Sequence, residues 1–326
     1  MTWLTWRQHR FEVVVAAGLL AAASCFLLVT GLHIGDVYSR SHVAGCLVGA
    51  RADTPACGQV TDAFTSRFDA LVGLTSWFNL LPLAIGALVA APLAVEFEQG
   101  THRLAWTQTV TRGRWYTARV LFVMGAAVAG ALILTLLMTW WRGPFDHIGG
   151  RLGAEAFDFE GAVTVAYTVF AAAVALAAAT LIRRALPAIG LTIAAFLGLR
   201  LATEGWLRFH YLPAIHATWL VGHPPPANQS GAWISDSGAS LPVGFHGTAQ
   251  GLAHACGIAN PDPGDLGDMI GLGHDRCLAL HGLHEFAVYQ PASRFWALQG
   301  IETAIFLGLA AGLVALSVWA VQRRIA

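Results

Sequence analysis

The chain has 326 residues, of which 56% are hydrophobic and 12% are charged, and its formal net charge is zero, with 19 basic and 19 acidic residues. A typical soluble domain has about 45–50% apolar and about 25% charged residues, so this chain has too few charges to cover the surface of a soluble protein. The zero net charge predicts no nucleic-acid partner. The composition therefore predicts a membrane protein.

All 19 basic residues are arginine, and the sequence contains no lysine. A Walker A loop needs a lysine that reaches the β- and γ-phosphates of ATP, and a Schiff-base enzyme needs a lysine amine. Both kinds of site are therefore excluded within this chain.

Six apolar stretches are long enough to cross about 30 Å of hydrocarbon at about 1.5 Å per residue. They cover residues 13–32, 71–95, 120–141, 162–182, 185–207 and 301–321. The fifth carries Arg200 and Glu204 near one end, at a spacing that lets them pair on one helix face. The predicted fold is an all-α polytopic membrane protein with six transmembrane helices and a large polar extracytoplasmic segment, residues 208–299.

The distribution of arginine predicts the orientation. If the N-terminus is cytoplasmic, the short segments on that side hold ten arginines and three acids, whereas the other side holds eight arginines and sixteen acids. Short cytoplasmic loops of membrane proteins carry an excess of arginine and lysine. We therefore expect a multi-pass protein of a bacterial plasma membrane with both termini in the cytoplasm.

The cysteines fall into two pairs within predicted outer segments. Cys46 and Cys57 share the first outer loop, and Cys256 and Cys277 share the large segment, so two local disulfides are predicted. An alternative for the second pair is a zinc site in which thiolates act together with imidazoles. The candidate imidazoles belong to His254, His274, His281 and His284. Ordinary loop histidines beside unpaired thiols are a third possibility.

The segment between the second and third stretches reads EFEQGTHRLAWTQTVTRGRW over residues 96–115. It could be a basic interfacial strip anchored by its tryptophans, or a docking element for a cytoplasmic partner. It resembles the cytoplasmic signature of actinobacterial ABC-2 type transporter permeases, the membrane subunits of ABC exporters. Four further patches resemble the same family in order: residues 141–146, 157–161, 183–187, and 289–296 followed by Gln299 and Glu302.

This resemblance implies a six-span fold like that of ABCG exporters. It places an N-terminal interfacial helix in residues 1–12, spans 1–5 in residues 13–207, a coupling helix near 96–114, outer helices around 285–299, and the last span with a cytoplasmic C-terminus in 300–326. The implied partners are a separate ABC ATPase subunit that holds ATP and Mg, a second permease copy (identical or related), and membrane lipid. The chain itself is expected to hold no cofactor, metal or catalytic residue.

The resemblance also implies site residues and a mechanism. The residues expected to couple to the ATPase are Glu96, Glu98, Gly100, Thr101, Arg103 and Arg112. Alternating access around a midplane cavity is expected, and an apolar cavity would suit a lipophilic or amphiphilic substrate. The polar or amphipathic candidates for that cavity are Thr75, Asn79, Thr135, Thr139, Tyr167 and Thr168, although helix packing is the more common role of such residues.

Two other function classes remain open. A non-transporting membrane sensor or immunity protein could keep the permease fold. A membrane-embedded enzyme could use the outer His/Cys cluster, although the sequence has no HExxH or GxSxG motif.

Overall fold

The computed structural model describes residues 2–47, 54–100, 111–226, 229–241, 249–258, 270 and 274–323. The chain divides into two compact units, which we describe separately. The helical unit comprises Met1–Arg208 and Trp296–Ala326, and the second unit is Phe209–Phe295.

The described part of the helical unit consists of long helices together with a few short ones. Its helices are α1 (Thr2–Arg40), α2 (Val43–Cys46), α3 (Pro55–Thr75), α4 (Leu81–Gln99), α5 (Arg112–Gly149), α6 (Ala154–Phe159), α7 (Val163–Ile182), α8 (Ala185–Ala202), α9 (Arg208–His210) and, after the second unit, α12 (Phe295–Arg323). A 3-10 turn, Ser76–Leu80, joins α3 to α4, and a π-helical turn, Thr203–Leu207, joins α8 to α9.

Six helical segments are long and apolar enough to cross a membrane, as predicted. They are Val14–Arg40, Pro55–Gln99, Arg112–Gly149, Val163–Ile182, Ala185–His210 and Ala292–Arg323. The second and third extend beyond the predicted stretches. Residues 55–70, expected in a loop, form most of α3 because Thr54 caps its N-terminus and Pro55 occupies its first position. The residues expected to form an interfacial helix are the first turns of the continuous helix α1.

Helix α7 is the most enclosed of the six and packs closely against α4. A Cβ atom added at Gly86 of α4 would lie 2.7 Å from the backbone nitrogen of Ala172 in α7. Small residues allow helix backbones to approach this closely, and α7 is rich in buried alanine. Many leucines on the other helices are exposed, as expected for surfaces that contact lipid.

We call the two ends of the helical unit the Glu98 end and the Asp158 end. The Glu98 end contains the C-termini of α4, α7 and α12 and the N-termini of α5 and α8. Val321 of α12 packs there with Phe97 and Trp115. At the Asp158 end, α5 and α8 end, α6 lies between α5 and α7, and α12 begins.

The second unit contains a three-stranded antiparallel sheet in the order β1-β3-β2. Its strands are β1 (Ile215–Leu220), β2 (Trp233–Ser240) and β3 (His284–Gln290), with the short helices α10 (Ala249–Ala255) and α11 (Asp275–Leu280). Leu252, Leu278 and Leu283 are buried in a small core.

This sheet corrects two sequence predictions. The all-α assignment is right for the membrane-spanning helices but wrong for residues 209–295. The outer helices expected around 285–299 are replaced, as far as Gln290, by strand β3. The physical reason is visible in β3, where burial alternates along the chain: Ala287 and Tyr289 are buried, whereas the preceding residue of each, Phe286 and Val288, is half-buried. An alternation of two is the period of a strand.

Candidate functional site

Five buried polar side chains from five helices meet at the Asp158 end of the helical unit. Asp158 comes from α6, Tyr167 from α7, Arg200 from α8, Arg208 from the first position of α9 and Glu302 from α12. None of them is more than 5% exposed. We call these five residues the buried ion cluster.

The cluster is joined by bidentate ion pairs. Arg200 donates from Nη2 to Asp158 Oδ2 at 2.7 Å and from Nη1 to Asp158 Oδ1 at 3.2 Å. Arg208 donates from Nε to Glu302 Oε2 at 2.9 Å and from Nη2 to Glu302 Oε1 at 3.0 Å, and its Nη2 also contacts Asp158. The Tyr167 hydroxyl donates to Glu302. Each planar guanidinium group binds a carboxylate through two hydrogen bonds. This geometry fixes the relative positions of the helices in addition to pairing the charges.

The charges of the cluster balance, with two arginines against two acids. This balance matters because an unpaired charge in a buried site costs several kcal/mol. Burial alone would raise the pKa of Asp158, but Arg200 and Arg208 outweigh that effect and hold the pKa of the carboxyl below its usual value. The guanidinium carbon of Arg200 also lies 4.1 Å from the ring centre of Tyr167.

The π-helical turn explains how Arg200 and Arg208 reach the same cluster. In a regular α-helix, residues eight apart point about 80° away from each other, whereas residues seven apart differ by only about 20°. A π-helical turn accommodates one extra residue, so positions 200 and 208 align as positions seven apart otherwise would. The irregularity in the helix is therefore what brings both arginines to the acids.

A second polar set lies at the same end. Arg151 Nε is 2.5 Å from Glu160 Oε2, and Arg142 Nε lies 3.6 Å from Asp146 and 3.8 Å from Glu160. Gln299 of α12 is buried and donates to the carbonyls of Phe157 and Glu160, while its Oε1 accepts from the backbone of Val163. A cavity of about 340 Å³ adjoins this set and is lined by Thr65, Arg142, Phe145, Ile148, Gly149, Gly150, Gly153 and Ala156.

At the Glu98 end, Glu96 joins α4 to α5. Its carboxylate lies 2.6 Å from Arg119 Nη2, and both side chains are largely buried. Arg119 also stacks on the ring of Trp115, with its guanidinium carbon 5.7 Å from the ring centre. Glu96 therefore holds the two helices on either side of the predicted coupling segment together.

Glu98 joins α4 to α8. Its Oε2 accepts a hydrogen bond of 2.9 Å from the backbone N–H of Ala185, the first residue of α8. The N-cap residue of α8, Arg184, has no side-chain cap, and a carboxylate near the unpaired N–H groups of a first turn is favoured by the helix dipole. Glu98 thus caps α8 from another helix.

The other predicted coupling residues are only partly described. Gly100 ends α4 in the left-handed conformation, with φ of 70°, and Arg112 is the first residue of α5. Thr101 and Arg103 lie outside the described residues.

A family model described as ABC-2 membrane transporter related matches residues 17–208. The chain belongs to this family. No curated protein and no solved structure matches the sequence. With six apolar helices, this ABC-2 protein is a multi-pass membrane protein of the transporter-subunit type. The ABC-2 family predicted from the sequence is confirmed, while the actinobacterial origin stays a prediction. The matched region ends at the residue before the second compact unit.

The predicted cavity residues of this ABC-2 protein do not gather at one place. Tyr167 lies in the buried ion cluster, and Thr75, Thr139 and Thr168 each donate to a backbone carbonyl three or four residues earlier in their own helices. The remaining two lie on different elements, Asn79 in the 3-10 turn and Thr135 in α5. Their role as cavity residues stays a prediction.

Both predicted disulfides of the ABC-2 protein are confirmed. Cys46 and Cys57 are joined with a Cα–Cα distance of 5.5 Å, and Cys256 and Cys277 with 5.6 Å. His281 Nδ1 lies 3.9 Å from Cys277 Sγ. The ligand atoms of Cys256, Cys277 and His281 lie within 4.8 Å of one another, so the zinc alternative would use the reduced form of this pair.

Sequence reasoning did not assemble the buried ion cluster, although it noted several of its members. Arg200 was seen as a charge inside a span and paired with Glu204, but that contact is 3.9 Å and Asp158 is the nearer partner. Asp158 and Glu302 lie within or beside the patches that carry the family resemblance. An ionisable residue in a membrane-spanning helix is by itself a signal of function or pairing. That signal was present at Arg200, but it did not identify the partner.

Proposed function

We propose that this ABC-2 protein is the permease subunit of an ATP-driven exporter that moves a lipophilic or amphiphilic substrate out of the cell by alternating access. The family match over residues 17–208 carries the proposal. Each half of the cycle would open the substrate path to one side of the membrane.

The energy source would be a separate ABC ATPase subunit that binds ATP and Mg. The absence of lysine from this chain agrees with a nucleotide site elsewhere. In this scheme the Glu98 end faces the cytoplasm, since most of the excess arginine belongs to segments at that end. Two permease copies, identical or related, would enclose the path within the lipid bilayer.

Residues 96–112 would be the docking segment for the ATPase. Two observations support this assignment. The segment lies between α4 and α5 in the chain, and the acids at its start contact Arg119 within α5 (Glu96) and the first residue of α8 (Glu98). A force applied to the segment would therefore be delivered to α5 and α8 together. Charged groups such as Arg103 and Arg112 would set the register and choice of partner more than the affinity.

The proposal is tested by reconstituting the chain with candidate ABC ATPases and measuring copurification and permease-stimulated ATP hydrolysis. Arg103→Glu should weaken assembly or stimulation without preventing membrane insertion. The matched control is Asp62→Arg, a charge reversal at an exposed position on α3. The proposal fails if no ATPase assembles with the parental protein, and that result would favour a non-transporting sensor.

A further inference from the structure

Within the described part of the chain, polar contacts attach helix α8 to the other helices at its two ends. At one end the backbone N–H of Ala185 donates to Glu98, and at the other Arg200 donates to Asp158. Between positions 186 and 199, the described structure gives α8 no hydrogen bond or ion pair to another element. The helix is therefore free of polar attachments along its length.

The packing of α8 is also narrow. Its buried residues are spaced four apart and form one stripe: Ala188, Thr192, Phe196 and Arg200. Away from the stripe, Leu186 and Leu201 are 83% and 70% exposed. A gap beside the stripe is lined by Ala87, Ala90, Ala91, Ala94, Ala175, Ala188, Ile189 and Thr192. Atoms that line a gap lose dispersion contacts, so the middle of α8 is held less firmly than a fully packed seam would hold it.

The two ends of α8 differ in what they hold. At the Glu98 end, the contact is an exposed hydrogen bond to a residue within the docking segment, two positions before Gly100. At the Asp158 end, α8 is attached to the buried ion cluster. The cluster also contains Arg208 and Glu302, and Glu302 connects it to α12. A displacement of α8 along its axis would either break the Arg200–Asp158 ion pair or move Asp158 together with Arg200. Buried ion pairs have discrete arrangements, so such an element switches between states and does not deform gradually.

We infer that α8 transmits movement of the docking segment to the buried ion cluster, with Glu98 and Arg200 as the positioning residues at its two ends. This inference rests on the proposed function, because it supplies the route by which an ATPase partner would rearrange the opposite end of the bundle. The continuous helix carries the displacement, and the cluster converts it into a change between α6, α8 and α12.

The test measures a distance at the Asp158 end in the permease–ATPase complex in nanodiscs. Spin labels are attached at Leu201→Cys and Ala297→Cys, both exposed positions outside the cluster, in a Cys25→Ala background. We expect ATP trapping to shift the distance in the parental complex by about 2 Å, the size of helix displacements in known switches. In Glu98→Ala, which removes the acceptor for Ala185, the shift should be lost, and it is measured on purified complexes that contain the full complement of ATPase.

Two variants separate transmission from a local packing effect. Glu98→Gln keeps an oxygen that can accept from Ala185 and should restore the shift. Leu186→Ala shortens an exposed side chain next to Ala185, outside the docking segment, and should leave the shift unchanged. A parental-size shift in Glu98→Ala, or no shift in the parental complex, would overturn the inference while the permease assignment stands. Failure of the ATPase to assemble with the parental protein would instead remove the proposed function and the inference together.

Discussion

At the scale of single residues, the buried ion cluster shows why charges can lie inside an apolar bundle. Each arginine meets a carboxylate at hydrogen-bond distance, and each carboxylate has a second donor. Removing one member would leave the opposite charge buried without its balance, which costs about 3–5 kcal/mol, whereas an exposed pair contributes about 0–1 kcal/mol.

Asp158→Asn should therefore lower the unfolding free energy by about 3–5 kcal/mol. The control is Asp36→Asn, which breaks the exposed pair with Arg40 and should cost less than about 1 kcal/mol. Denaturant unfolding in detergent would measure both. Equal losses in the two variants would contradict the account of the cluster.

The pH dependence provides a second check on Asp158. Its pKa is lower in the folded protein than the unfolded value of about 3.9, so its stabilising contribution is complete above that value and is lost as the pH falls through the native pKa. Unfolding measured between about pH 5 and pH 3 should show a steeper loss for the parental protein than for Asp158→Asn. Parallel curves would rule out this linkage.

At the scale of elements, the π-helical turn and one glycine determine how the helix ends meet. The turn aligns Arg200 with Arg208 because it accommodates one extra residue between them. Gly161 has φ of 74°, and a Cβ atom there would lie 2.8 Å from Gln299 Oε1. The glycine therefore serves both the turn before α7 and the contact with α12.

Deleting Gly205 should be tolerated. The deletion would convert the π-helical turn into regular α-helix and leave the two arginines on one face. Deleting Gly198, within regular α8, should instead rotate Arg200 about 100° away from the stripe and abolish stable folding. Size-exclusion profiles and thermal unfolding would distinguish them, and greater damage from the Gly205 deletion would refute the alignment argument.

Gly161→Ala should destabilise the protein more than Gly100→Ala. Both positions have positive φ, which costs an L-residue about 1–2 kcal/mol, but nothing lies within 4 Å of a Cβ at Gly100. The difference between the two variants isolates the collision with Gln299. Thermal unfolding measures it, and equal losses would show that Gln299 moves aside without cost.

At the scale of the whole molecule, the six helices and the unequal distribution of arginine predict a topology. A cysteine at Thr109 should be protected from a membrane-impermeant thiol reagent in intact cells, and a cysteine at Asn228 should react. The assay uses a Cys25→Ala background because Cys25 is the free, exposed cysteine. Equal labelling at the two positions would exclude the six-span orientation with cytoplasmic termini.

The sequence alone determined the membrane class, the six spans, the disulfide pairs and the family. These properties depend on composition, on runs of about 20 apolar residues and on short motifs, all of which are local along the chain. The sheet of the second unit was missed, although Phe286, Val288 and Tyr289 are residue types favoured in strands.

Only the tertiary structure assembled the buried ion cluster and gave α8 its two attachments. Arg208 and Glu302 are 94 positions apart, and Glu98 and Ala185 are 87 apart. No spacing rule connects residues at such separations, because which helices become neighbours depends on packing over their full length. The alignment of Arg200 with Arg208 also required a π-helical turn. The regular period of about 3.6 residues does not predict the extra residue of such a turn.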